Sequence, residues 1–561
     1  MKHVPVILVA LLAATTAFSQ QVHLDNLEKK VDSITGISGQ ENEPGLSVGV
    51  VYRGRPVLNS HSGLMNLENQ VKTSGSTMYN LASVSKHITA FGILLLEAEG
   101  KLELQDRVGD YLPDLPKEFK EVTIDQLLHH TSGIPSTDNL RLFAGIPLDV
   151  PWTMADEMDL LKKYSHLNFE PGTDFMYSNG GYSLLAAIIE MAGDQEFDDY
   201  FRQKVFDPND LQAVAYSNPE KSISNRATGY RLAGDTLVDA RTETESVPGG
   251  SNFYFNMNDM LVWMDLLLKE NPPYSQQISK MMKASFTLPT GDTIPYSHGL
   301  NVKPYKGVKA VYHSGGTPGF ASYMMLFPEQ ELGIAVLTNN EKINVSRIIR
   351  KLADGILSEF IKEEKPLERV AISLTEDKLK KWEGGYRMED GLILKILPEN
   401  EALFLVLPEA QRFQLHAESE TNYFISEFDA RVVFSTTPEG KPFQFKLIQG
   451  TNVQTGTFTE PAEFSQVPPD PQALIGSYYQ PELDVTYRLE AIDGVLMLQL
   501  PETFEKYLNF YQVTLKPVLG NVFNTDRLGV VEFLQNEQDE ITGLRFNDVG
   551  RLRHISFTKI N

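Results

Sequence analysis

The sequence predicts an α/β (α+β) domain, an antiparallel sheet with helices on both faces and a helical lobe beside it, followed by two small antiparallel β domains of barrel or lipocalin-like type. Three observations carry this. Strand-like runs open and close the first 360 residues with helical patterns between them; past Pro366 only short β-patterned runs remain; and that tail repeats itself once. The expected division is 1–19 as a cleavable leader, 20–365 as the α/β domain, and 370–462 and 470–561 as the β domains.

At 561 residues the chain exceeds the size at which one core suffices, so several domains are expected. Lys2 and His3 precede an apolar stretch over residues 4–16, and Ala17-Phe18-Ser19 offers small side chains for cleavage, the pattern of a secretory signal. That stretch is too short to span a bilayer, and no other run approaches the length required, so no membrane span is expected. The chain has no cysteine, which excludes disulfides, thiol catalysis and a lipidated cysteine at the cleavage point. A periplasmic or secreted protein is expected. The net charge of −24 argues against nucleic acid and anionic membranes as partners; a solvated acidic surface explains it, and it also suits substrates carrying an amine.

Leu46-Ser-Val-Gly-Val-Val51 and residues 55–58 flank Arg53-Gly54 and read as a hairpin. Helical patterns follow at residues 124–128, 181–192, 197–205 and 257–268, the last opened by Asn256 with Asp259 three residues on. Strands return over 312–338, and a helix over 345–360 closes the domain. In the tail, Trp382-Glu-Gly-Gly-Tyr386 and Ile475-Gly-Ser-Tyr-Tyr479 each precede an apolar strand run, with a proline-rich linker at 464–471 between the copies.

The chemistry concentrates at Ser83-Val84-Ser85-Lys86, heading an apolar run. A serine hydroxyl is a poor nucleophile without a base nearby. If a helix starts here, residues three apart share a face, so Lys86 meets Ser83 in the positive field of a helix N-terminus. A second Ser-x-x-Lys, Ser556-Phe557-Thr558-Lys559, sits in a β-prone stretch with no helix after it and reads as accidental. Tyr177-Ser178-Asn179 has the form Tyr-x-Asn and His313-Ser314-Gly315 the form His-x-Gly; each form recurs elsewhere in the chain, so order and surroundings decide.

Asn80-Leu-Ala-Ser-Val-Ser-Lys86, Val122-Thr-Ile-Asp-Gln-Leu-Leu-His-His-Thr-Ser-Gly133, Glu170-Pro-Gly-Thr-Asp-Phe-Met-Tyr-Ser-Asn179 and His313-Ser-Gly-Gly-Thr-Pro-Gly319, in that order, resemble the serine hydrolases related to class C β-lactamases and D-alanyl-D-alanine carboxypeptidases. The tail more loosely resembles the barrel domains appended to D-aminopeptidase-like members. The resemblance implies a β-lactamase/transpeptidase-like fold, no cofactor, and an acyl-enzyme on Ser83. It implies Lys86 as the base that eases removal of the hydroxyl proton and Tyr177 as the residue passing that proton to the leaving group, provided Lys86 stabilises its phenolate. Asn179 would bind the substrate's acylamide, and the backbone N–H groups of Ser83 and Gly316 would form the oxyanion hole, with Gly315 and Gly316 allowing close approach.

The departure is His313, where β-lactamases and carboxypeptidases of this kind carry a lysine that holds the substrate carboxylate. A neutral histidine would offer one N–H donor in place of that charge, which favours an aminopeptidase, amidase or esterase acting on small, D-amino-acid-containing substrates. A class C-type β-lactamase or carboxypeptidase remains the alternative, as does a penicillin-binding sensor without turnover. The partner is then a small molecule or short peptide, of cell-wall origin on this reading; the oligomeric state is left open. His129-His130 suggests a metal pair, but neighbouring helix residues point apart and no acidic residue has ligand spacing, so no metal is expected. Pro248-Gly249-Gly250 reads as a turn before the next helix or as part of the cleft.

Overall fold

A computed structural model describes residues 21–36, 41–218, 220–240, 245–269, 272–362, 369–388, 391–407, 411–449, 452–459 and 468–560. The expected leader, 1–19, and the first half of the expected linker, 464–467, lie outside these residues. Among the described residues no helix is long and apolar enough to cross a membrane.

The first domain is built on a seven-stranded antiparallel sheet. Its strands are β1 (Leu46–Tyr52), β2 (Arg55–Ser62), β3 (Tyr296–Ser297), β4 (Leu300–Val302), β5 (Val311–Thr317), β6 (Phe320–Phe327) and β7 (Leu332–Thr338), arranged β3-β4-β5-β6-β7-β1-β2. The two chain ends of the domain meet where β1 pairs with β7, from Leu46 opposite Thr338 to Tyr52 opposite Leu332. Arg53 and Gly54 make the β1–β2 turn with positive φ at both, the hairpin geometry expected of that dipeptide. Because β1, β6 and β7 are covered on both faces they are buried almost throughout and carry apolar runs instead of alternation.

One face packs against α1 (Leu27–Thr35) and α7 (Val345–Ile356), whose apolar stripe inserts Ile348, Ile349, Leu352 and Ile356. The other carries α2 (Lys86–Ala98) and α6 (Met257–Lys269). Asn256 caps α6 reciprocally: its Oδ1 accepts from the Asp259 N–H at 2.9 Å and its amide donates to the Asp259 carboxylate at 2.9 Å. The inserted lobe contributes α3 (Ile124–Leu128), α4 (Thr137–Ala144) and α5 (Asn179–Gly193). Helix α5 packs along α2, and the Ser178 hydroxyl caps it by accepting from the Gly181 N–H.

The tail forms two closed eight-stranded antiparallel barrels, the first spanning strands from Gly384–Met388 to Asn452–Thr459, the second from Gly476–Gln480 to Leu552–Lys559. The repeat read from sequence has a structural equivalent. The Tyr386 hydroxyl donates to the Trp382 carbonyl and the Tyr478 hydroxyl to the Leu474 carbonyl, each tying the first strand to the segment four residues before it.

The second barrel shares a continuous apolar core with the first domain, whereas the first barrel has a core of its own. Phe143 of α4 enters the second barrel's end against Phe504, Phe546 and Tyr487, with ring centroids 5.2, 5.5 and 6.3 Å away. The polar edge is satisfied too: Tyr487 and Thr503 donate to the carbonyls of Phe143 and Leu142, and the Ser165 hydroxyl donates to Glu482.

Candidate active site

Ser83 lies in a single 3₁₀ turn, Ala82–Ser85, and the α-helix begins only at Lys86. The expected helix start is thus displaced by one turn, but the i, i+3 neighbourhood survives because a 3₁₀ turn also brings such residues onto one side. Ala82 holds a left-handed backbone conformation, φ 46°, fixed by its N–H donating to Asn80 Oδ1 at 2.8 Å. Asn80 is itself held by Asn252 and Tyr254. The turn is therefore determined from both sides.

Lys86 is fully buried, and its Nζ lies 3.3 Å from Ser83 Oγ, 2.7 Å from Asn179 Oδ1 and 2.8 Å from the Gly250 carbonyl oxygen. Burial, opposed by the Asp138 carboxylate and assisted by the Arg551 guanidinium, pulls its pKa down to about 7. A neutral amine has two hydrogens. Both are taken by oxygens that can only accept, so its lone pair faces the serine hydroxyl. That is the geometry of a general base. Asn179 is oriented in turn by donating to the Asp138 carboxylate.

Tyr177 precedes α5. Its ring is 4.8 Å from Lys86 Nζ and 4.3 Å from the His130 ring, and its hydroxyl is buried without a hydrogen-bond partner. Burial pushes its ionisation above the ordinary phenol range, while the Ser83 hydroxyl and Arg551 pull the other way. Tyr177 is therefore a neutral phenol at rest. His130 holds this segment from below: its Nδ1 accepts the Ser178 N–H at 3.1 Å, and burial keeps the ring neutral.

Strand β5 forms the opposite wall. β4 pairs only with Val311 and Tyr312, leaving the backbone of residues 313–317 free on the side facing the Ser83 turn. Gly315 is needed there, since a Cβ would stand 2.3 Å from the Leu81 carbonyl and 3.0 Å from the Ser83 nitrogen. Gly316 beyond it opens to the cleft.

His313 differs from expectation in one respect. Its Nδ1 faces the Ser314 carbonyl at 2.6 Å and so carries the proton, and its Nε2 lies 3.2 Å from the Tyr296 hydroxyl, which donates to it. Burial takes its pKa down to about 3. Both nitrogens are thus engaged inside the protein, and no ring N–H is left for a substrate.

The cleft beside Ser83 has a volume of about 230 Å³ and is lined on the lobe side by Asp138, Glu157, Arg141 and Asn179, and across from them by Gly250, Gly316 and Thr317. Glu157 is buried and held by Thr137, Trp152 and Ser183, and burial raises its pKa. The family model described as Beta-lactamase matches residues 24–357, which contain every one of these residues.

The chain belongs to the beta-lactamase family. It is a serine hydrolase of that family, and its first domain has the β-lactamase/transpeptidase-like fold. Among curated relatives, penicillin-binding protein 4* of Bacillus subtilis is 29% identical over 436 residues, covering 73% of this chain and 94% of the relative. Protein flp of Staphylococcus aureus is 28% identical over 59% of this chain and 67% of the relative. In structure, the octameric penicillin-binding protein homologue from Pyrococcus abyssi superposes with a TM-score of 0.53, at 22% identity, over 77% of this chain and all of that one. The D-amino acid amidase from Ochrobactrum anthropi gives a TM-score of 0.51 at 22% identity, over 59% of this chain and 99% of that one.

Three contributors to this beta-lactamase-family site went unrecognised in the sequence. Gly250 supplies the carbonyl that positions Lys86; only the ambiguous Pro-Gly-Gly run hinted at it. Asp138 sits inside an unremarkable helix start. Arg551 comes from the second barrel, with its guanidinium carbon 4.6 Å from the Tyr177 ring centroid, and nothing in the sequence marks it. The His129-His130 pair divides as expected of neighbours, but Asp125, one turn earlier, lies 3.1 Å from His129 Nδ1, so an acidic neighbour does exist. Asp125, His129 and His298 have potential ligand atoms within 4.8 Å of one another. His129 meets the Asp125 carbonyl through Nδ1 and the Ser285 hydroxyl through Nε2.

Proposed function

We propose that the protein is an exported, cofactor-free hydrolase that acts through an acyl-enzyme on Ser83 and cleaves amide or ester bonds of small D-amino-acid derivatives bearing a free amine. The observation that carries this reading is the Lys86 amine, with both hydrogens committed and its lone pair toward Ser83 Oγ. Lys86 takes the Ser83 proton as Oγ bonds to the substrate carbonyl carbon. The Ser83 and Gly316 N–H groups receive the developing oxyanion, an arrangement that typically contributes about 3–4 kcal/mol. Tyr177 gives its phenol proton to the leaving nitrogen or oxygen as the scissile bond breaks and is reprotonated from Lys86. Water then attacks the ester, its proton returning through the same pair, and the acid leaves with Ser83 restored.

The amine preference rests on the cleft's carboxylates, Asp138 above all, and on the withdrawal of His313 from substrate contact. A class C-type β-lactamase or D-alanyl-D-alanine carboxypeptidase is the second reading, favoured by the matching catalytic constellation. The experiment is a panel of D-alanine p-nitroanilide, a p-nitrophenyl ester and a chromogenic cephalosporin on native protein and Ser83→Ala. The expected result is kcat/KM for the anilide at least tenfold above that for the cephalosporin. The serine substitution is expected to lower turnover by roughly 10⁴-fold or more. Faster cephalosporin turnover would install the second reading, and a stoichiometric burst without turnover would leave a sensor.

A further inference from the structure

We infer that Arg551, held over the Tyr177 ring by the second barrel, recognises a carboxylate on the leaving-group side of the substrate, so that the preferred substrates are dipeptide-like molecules with a free amine at one end and a free carboxylate at the other. This rests on the hydrolase reading above and adds its leaving-group specificity.

Arg551 lies in the turn between the last two strands, Ile541–Val549 and Leu552–Lys559. That turn is fastened to the first domain around the base of the site. The buried Asn168 accepts the Arg553 N–H at 2.8 Å through Oδ1 and donates to the Arg551 carbonyl at 3.1 Å through Nδ2. The Arg553 guanidinium pairs with Asp174, three residues before Tyr177, at 2.6 Å, and with Asp548 at 3.1 Å. The backbone of Arg551 is thus fixed while its side chain projects over Tyr177.

The nearest fastening carboxylates, Asp174 and Asp548, both serve Arg553, and among the described residues Arg551 forms no ion pair. It is solvent-exposed, yet its charge is felt by Lys86, His130 and Tyr177. The other cations of the site are engaged. Lys86 is enclosed and hydrogen-bonded, the Arg141 guanidinium donates to the Pro147 carbonyl and lies over Trp152, and His313 is buried and neutral. A guanidinium held over an apolar ring with its N–H edge open is suited to bidentate carboxylate binding. Tyr177 delivers the leaving-group proton in the proposed mechanism, so a cation over its ring stands at the leaving-group end. Asp138, on the Asn179 side, serves the amine.

The test compares kcat/KM for D-alanyl-D-alanine and for D-alaninamide, which lacks the carboxylate, in native protein, Arg551→Ala and Arg551→Lys. Both activities fall in Arg551→Ala, because Arg551 also acts on Tyr177 and Lys86, but the loss on the dipeptide exceeds that on the amide by tenfold or more and resides in KM. Arg551→Lys restores part of that ratio. Equal losses on both substrates, or none, overturn the inference. If native protein hydrolyses neither compound, the hydrolase specificity fails, and Arg551 is judged by protection of Ser83 from a fluorophosphonate label. Protection by the dipeptide beyond that by the amide, lost in Arg551→Ala, sustains the carboxylate site; equal protection by the two removes it.

Discussion

The two barrels have the same strand count, the same antiparallel closure and the same tyrosine tie to a carbonyl four residues earlier, yet they relate to the hydrolase domain in different ways. The first closes over its own aromatic cluster, with Trp382 stacked on Phe434 at 4.7 Å. The second receives Phe143, merges its core with that of the catalytic domain, and projects Arg551 over Tyr177. A shared architecture therefore says little about function. What separates the two copies is the surface one of them presents to α4 and the turn between its last strands.

The contrast can be broken most decisively at the aromatic contacts. Trp382→Ala and Phe143→Ala each empty a fully buried ring site and should each cost about 3–5 kcal/mol. Calorimetry should show Trp382→Ala lowering a transition confined to the first barrel, with hydrolysis retained. Phe143→Ala should lower the transition of the catalytic domain and second barrel together and cost activity as well. Two independent transitions in the latter variant would contradict the shared core.

The pH profile tests the same asymmetry electrostatically. Protonated Lys86 cannot accept the Ser83 proton, so kcat/KM should rise with pH through about 7 and fall about tenfold per unit below it. Arg551 is one of the groups depressing the Lys86 pKa. Replacing it with alanine should let the amine keep its proton longer and move the acid limb to higher pH, whereas Trp382→Ala should leave the limb in place. A limb that ignores Arg551 would show that the second barrel is electrically remote from the site.

Loosening the fastening should have a smaller effect. Arg553→Ala removes the partly exposed pairs to Asp174 and Asp548, and a loss of a fewfold in dipeptide kcat/KM is expected from a less ordered turn. Smallest of all, Tyr386→Phe and Tyr478→Phe each delete one tie, and denaturant titration should find about 1 kcal/mol in each barrel. Unequal costs would show that the repeat has diverged energetically as well as in docking.

Much of this was legible in the chain. Ser83 and Lys86 could be placed together because their spacing and the apolar run after them constrain local geometry, and the barrels because Trp382 to Tyr386 and Ile475 to Tyr479 repeat a local pattern. His313 was visible as a departure, but the occupation of both its nitrogens depends on Tyr296, which arrives from another strand. Gly250 and Asp138 act through tertiary placement of a carbonyl and a carboxylate, which leaves no periodic or compositional trace. Arg551 is the extreme case: an arginine in a hairpin turn more than 370 residues from Tyr177, whose position depends on how one barrel sits on one lobe.

That separation along the chain has a temporal consequence. The ribosome completes Ser83, Lys86 and Tyr177 long before it makes the strand Leu552–Lys559 that closes the second barrel against Gly476–Gln480. A growing polypeptide therefore carries its nucleophile and base long before it carries the cation that lies over Tyr177. On the carboxylate-site reading, the residue that selects the leaving group is thus the last of the site to be made. A chain released before its final hairpin would lack both that cation and the closing strand of the barrel whose core the catalytic domain shares.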